Sequence, residues 1–214
     1  MSQITTLLLL LTGALPGAVV IDRVAAIVGK HVVKSSDIQR DLRLTEFLNR
    51  DPADVTTGAT RKAAERLIDQ TIIRDEIARG GYRRPTDGDA GNLLKALVQD
   101  RFGGSDGRLR EALARYSLGA DQLRDQLLWQ LTVLRFIDQR FRPGVQVSDE
   151  DVRAYYDQHL GEFKRDYPRN SSFEALQARI RDSLEGQRVN EAFTAWLDDA
   201  RKQARIEYRE GAFQ

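Results

Sequence analysis

The residues that could do chemistry are few and scattered. There are two histidines, His31 and His159, and neither is joined by a second imidazole that would begin a metal site. Both read as exposed side chains, one at a turn and one towards a helix end. Cysteine is absent, which removes disulfides, thiolate metal sites and cysteine nucleophiles together. Gly103, Gly104 and Gly107 fall between helical stretches without the lysine or the strand-to-helix setting of a phosphate loop. No serine stands in a nucleophile elbow. The triplet Asp149, Glu150, Asp151 has the charge for cation binding or acid/base work, but it follows Ser148 at a helix start. There, carboxylates cap free backbone N–H groups and complement the helix dipole. No catalytic constellation results, and the expectation is a binding scaffold, not an enzyme, with no cofactor, metal or nucleotide.

Composition supports a folded body. Of the 214 residues, 41% are hydrophobic, enough for a sizeable core. Lys and Arg number 33 against 32 Asp and Glu, and the net charge of +1 provides no field to gather nucleic acid or an anionic surface. Many of these charges lie three or four residues from an opposite charge, the spacing of solvated helix faces. At the N-terminus, Ile4 to Leu15 is a nearly continuous apolar run followed by Pro16, Gly17 and Ala18. It is shorter than the roughly 20 residues that span a bilayer. Residues 1–18 therefore read as a secretory signal cleaved after Ala18, which places the mature chain in the periplasm. An uncleaved membrane anchor and a misplaced start codon are the alternatives.

The positioning elements read as mainly α with a little β at both ends. Residues 21–28 alternate as a strand, Gly29 to His31 turn the chain, and Val32 and Val33 return it. Ile206 and Tyr208 form a short strand near the other end. Neither ribbon buries a face alone, so the hairpin and the C-terminal strand are expected to pair in one small sheet. Between them, helices are predicted after Ser35 or Ser36, over Thr60–Arg79, from Thr86 to Gly103, over Gly107–Tyr116 and over Ala120–Phe141. A sixth opens at Ser148. A loop over 164–172 leads to a last helix with a Ser171–Glu174 capping box and a kink near Gly186.

The fifth helix carries more apolar surface than one core face needs. Leu123, Leu127, Leu131 and Leu134 make one stripe, and Leu128, Trp129, Val133, Phe136 and Ile137 widen it. Two layers of neighbours could cover such a sector. Alternatively, it walls a groove for apolar segments of another protein, with Ile72 and Ile73 of the second helix as its presumed neighbours.

Four segments resemble the SurA and PpiD type of periplasmic foldase chaperones. They are IDRVAAIVGKHVVKSSDIQ at 21–39, ERLIDQTIIRDEIARGGY at 65–82, DQLRDQLLWQLTVLRFIDQRFRPGVQVSDEDVRAYYDQHLGEF at 121–163, and EAFTAWLDDARKQARIEYR at 191–209. Gly29 replaces an asparagine typical of the family's hairpin turn. The resemblance implies a SurA N-terminal-like helical region over 19–163, completed by a closing helix and strand at 173–214. Family members insert a parvulin-type prolyl isomerase after the double tyrosine, here Tyr155 and Tyr156; in this chain residues 164–172 bridge that point instead. What is then implied is an ATP-independent holdase without isomerase activity. Its partners would be unfolded or nascent outer-membrane and secreted polypeptides, and it would meet the membrane only through an uncleaved N-terminal segment. An adaptor subunit of an envelope complex, docking one partner with the same fold, is the alternative.

Overall fold

The computed structural model describes residues 22–52, 54 and 56–209, so the expected signal segment lies outside the described residues. Three strands, β1 (Val24–Val28), β2 (His31–Lys34) and β3 (Ile206–Tyr208), form one sheet in the order β2-β1-β3. Both pairings are antiparallel, with Ile27 opposite Val32 on one side and Glu207 on the other. The expected union of the two chain ends is therefore present. Gly29 holds φ +58 as the first central residue of the two-residue β1–β2 loop, a conformation open to glycine at little cost.

Eight α-helices are found among the described residues: α1 (Ser35–Asn49), α2 (Thr57–Gly80), α3 (Asp87–Phe102), α4 (Asp106–Arg115), α5 (Ala120–Phe141), α6 (Asp149–Gln158), α7 (Leu160–Asp166) and α8 (Phe173–Gln203). Caps set their ends. Thr86 and Asp89 exchange hydrogen bonds at the start of α3, and Ser148 and Asp151 do so at α6. Asp151 also meets Arg188 of α8 at 3.0 Å. Hydrogen bonds from Arg188 and from the Ser148 backbone hold its pKa down at about 2. The acidic triplet is thus helix-start chemistry.

Three local expectations change. Residues 164–166 continue α7, leaving only 167–172 as the connection to α8. The cap of α8 is Ser172, whose hydroxyl accepts from Ala175 N–H, rather than Ser171. At Gly186 α8 is unbroken, because a solvated glycine costs only about 1 kcal/mol and thirty-one packed residues absorb it. No described helix is long and apolar enough to cross a membrane.

Four apolar clusters follow one another through the molecule. The sheet packs on α2 through Ala26, Val28, Val33 and Ile68. The end of α1 joins α3, α4 and the first half of α5 around Phe47, Leu113, Leu123 and Leu127. The second half of α5 meets α2 and α8 around Ile73, Trp129 and Phe136, and α6 and α7 close on the start of α8 around Val152 and Ile180. So α5 changes partners midway, and the side it buries changes with them. Leu134, placed by its spacing on the core stripe, is 62% exposed, whereas Phe136 is 0% exposed.

The paired glycines at the end of α2 have separate roles. Gly81 takes the left-handed cap, φ +66, while a Cβ on Gly80 would lie 2.1 Å from the Tyr82 ring. Tyr82 packs edge-on against Phe136 at 5.0 Å and accepts a hydrogen bond from Arg140 at 2.8 Å. Gly80→Ala should therefore lower stability by about 1–3 kcal/mol by displacing that ring. In a Tyr82→Ala background, urea denaturation should show the same substitution to be nearly neutral; an equal cost in both backgrounds would refute the clash.

Candidate functional site

Two openings beside the sheet share part of their lining and form one trench. The first, about 480 Å³, runs between β2, α1, α2 and α5, with Val32, Val33, Leu44, Leu67 and Trp129 among its apolar walls. The second, about 680 Å³, continues past His31, Ile77, Pro85, Leu128 and Thr132. They share Arg74, Asp125 and Trp129. The Arg74 guanidinium lies over the Trp129 indole, its carbon 3.8 Å from the ring centre, where the two openings meet.

The lining is mixed. Asp37, Arg40, Asp41, Gln70, Arg74 and Asp125 contribute polar groups between the apolar ones. Asp41 is buried and accepts from the Arg66 guanidinium at 2.6 and 3.0 Å. Burial raises its pKa and the Arg66 charge opposes that rise. On the far side of β2, His31 Nε2 is 2.9 Å from Asp75 of α2, an interaction across 44 residues that ties the hairpin to the helix. His31 is therefore a half-exposed positioning group and not a bare turn residue. His159 stacks on Tyr155 at 4.1 Å and bonds to the Tyr155 carbonyl through Nδ1. Arg74 is lowered in pKa by burial, and no hydrogen bond or ion pair to it is formed among the described residues.

Of the residues expected to bind a polypeptide, Leu128 and Trp129 line the trench. Ile73, Trp129 and Phe136 share one core cluster, with Val133 and Ile137 packed against it. Phe136 faces none of the trench: it is enclosed by Tyr82, Phe141 and Trp196 and so supports the wall from behind. Ile72 belongs to the cluster under the sheet and borders a different opening, of about 560 Å³, between α2 and α8. Sequence reasoning passed over Val32, Arg74 and Asp125. Adjacent valines at 32 and 33 were a signal that both faces of the strand meet protein or ligand. For Arg74 there was none, since an arginine at the margin of an isoleucine stripe reads as solvated.

No protein-family model matches the chain. Among curated proteins, it is 31% identical over 159 residues to Chaperone SurA of Pseudomonas putida, covering 72% of this chain and 37% of the relative. Chaperone SurA of Chromobacterium violaceum is 29% identical over 140 residues, covering 62% of this chain and 31% of that protein. Chaperone SurA of Pseudomonas fluorescens is 27% identical over 192 residues, covering 83% and 45%. The chain thus spans less than half the length of these relatives.

Proposed function

We propose that this chain, a relative of the SurA chaperones, is an ATP-independent holdase of the periplasm that keeps unfolded outer-membrane and secreted polypeptides from aggregating. The observation that carries the reading is the open trench between β2, α2 and α5, with Leu128, Trp129 and Val32 on its walls. Apolar client side chains entering it gain roughly 25 cal/mol per Å² removed from water, whatever the surrounding sequence. Flanking Arg and Asp side chains keep the loaded surface wet. Binding of this kind is weak and reversible and needs no nucleotide. Isomerase activity is not part of the proposal, because α6 and α7 lead through residues 167–172 directly into α8.

The test uses the chain from Val19 and an outer-membrane β-barrel protein diluted out of urea, with light scattering as readout. At micromolar concentration the chain should suppress scattering. Leu128→Asp should weaken protection several-fold, while Leu134→Asp, on the exposed side of the same helix, should leave it unchanged. Equal protection by both variants, with equal melting curves, would remove the trench from the mechanism.

The polar lining favours a second reading, an adaptor that docks one defined partner. Buried hydrogen-bonding groups reject most ligands that leave them unpaired. An adaptor would protect no unfolded client and would retain a single protein from an envelope extract.

A further inference from the structure

The trench wall formed by β2 is a free sheet edge. In a two-residue hairpin the flanking pair, Val28 and His31, exchanges both of its backbone hydrogen bonds. The next pair, Ile27 and Val32, does not, so the Val32 N–H and C=O point away from β1. Among the described residues no strand covers that side, since β2 is terminal in the order β2-β1-β3. Successive strand residues face opposite ways, yet Val32 and Val33 both line the first opening, which places that opening alongside the edge and not over a face. Val32 itself is 47% exposed.

Arg74 lines the same opening as Val32. The residue is exposed, its guanidinium rests on the Trp129 ring, and no described residue accepts from its N–H groups, which are left to water or to a ligand. A free anion is a poor occupant, because Asp37, Asp41, Asp75 and Asp125 line the same trench. Neutral carbonyl oxygens satisfy the donors without that repulsion. An outward N–H and C=O at Val32 and guanidinium donors lining the same opening are the complement of an extended peptide backbone.

We infer that the trench takes its client as an added β-strand, hydrogen-bonded to Val32 along the β2 edge, with Arg74 donating to carbonyl oxygens of the same segment. This deepens the holdase reading and rests on the trench being the client site. A strand in that position presents alternate side chains to Trp129 and Leu128 and the others to water. A peptide with apolar side chains at alternate positions therefore suits as a probe of this binding mode.

The probe is a peptide of about ten residues alternating Phe and Ser, acetylated and amidated so that it carries no charge, with binding followed by fluorescence anisotropy. Two versions carry N-methyl groups on alternate amides, one in each register. One register should lose about tenfold or more in affinity and the other should stay close to the parent, because only one set of amides faces β2. Val32→Pro, which removes the outward N–H at an edge position, should cost a similar factor with an unchanged melting curve. Arg74→Lys keeps the charge, loses the planar fork and should weaken binding several-fold. Equal effects of the two methylated registers, whether none or large, would overturn strand addition, as would failure of the parent peptide to bind. The scattering assay then decides separately whether the holdase reading stands.

Discussion

Phe136→Ala should cost about 3–5 kcal/mol, the largest single loss expected from any substitution in the helical body. The ring is fully buried and touches three other aromatic groups, from α5 itself, from α8 and from the segment after α2. Tyr82, following α2, lies edge-on at 5.0 Å, Phe141 of α5 at 5.8 Å and Trp196 of α8 at 5.4 Å. Arg140 lies over Trp196 at 5.1 Å, donates to the Tyr82 hydroxyl and pairs with Glu76. Truncation leaves a cavity that these neighbours cannot fill, because each is held by another contact. Since α2, α5 and α8 meet at this ring, one cooperative transition should shift as a whole. Chemical denaturation with Trp fluorescence and far-UV circular dichroism checks this: the two probes should move together. A loss below about 1 kcal/mol would show that the cluster repacks freely.

Arg201→Ala should cost about 2–3 kcal/mol at neutral pH, the lower part of the range for breaking an ion pair, since the side chain is 27% exposed. Arg201 of α8 joins Glu65 and Asp69 of α2, and Tyr208 of β3 donates to Glu65 at 3.0 Å. Burial works to lower the Arg201 pKa, but the bonds to Glu65 and Asp69 outweigh it and raise it. Burial raises the Asp69 pKa, and Arg201 opposes the rise. The folded protein thus holds the Asp69 proton more tightly than the unfolded chain, so this group's contribution to stability grows as pH falls through its folded pKa towards 3.8. Without Arg201 that pKa climbs further. The penalty of the variant should be greatest near pH 7 and shrink on acidification towards 3.8, as measured by urea midpoints across that interval. A penalty independent of pH would mean that the carboxylates find other partners.

Much of the scaffold was legible because local chemistry decides it. Thr86 with Asp89, Ser148 with Asp151, and the glycines at 81 and 103 end or begin helices by satisfying backbone groups within a few residues. The union of hairpin and C-terminal strand followed from the inability of either to stand alone. What stayed hidden depends on contacts far along the chain. Helical periodicity gives the apolar sector of α5 but not which part is covered, because α3 and α4 cover the side of Leu123 and Leu127 while α2 and α8 cover that of Val133 and Phe136. The same holds for Arg74, whose meaning comes from Trp129 beneath it 55 positions later and from the missing acceptor, neither of which a single helix reveals.

The central place of β1 sets a timetable for the newborn chain. Its first neighbour, β2, is made within moments, but the second, β3, waits until residue 208 has emerged. Until then the hairpin has two bare edges instead of one, and Ala26 and Val28 lack the cover of Ile206. Closure over so long a separation is slow relative to helix formation. Throughout synthesis, then, this molecule is itself an unfinished sheet exposed to its surroundings, sharing for a time the predicament from which it would rescue others.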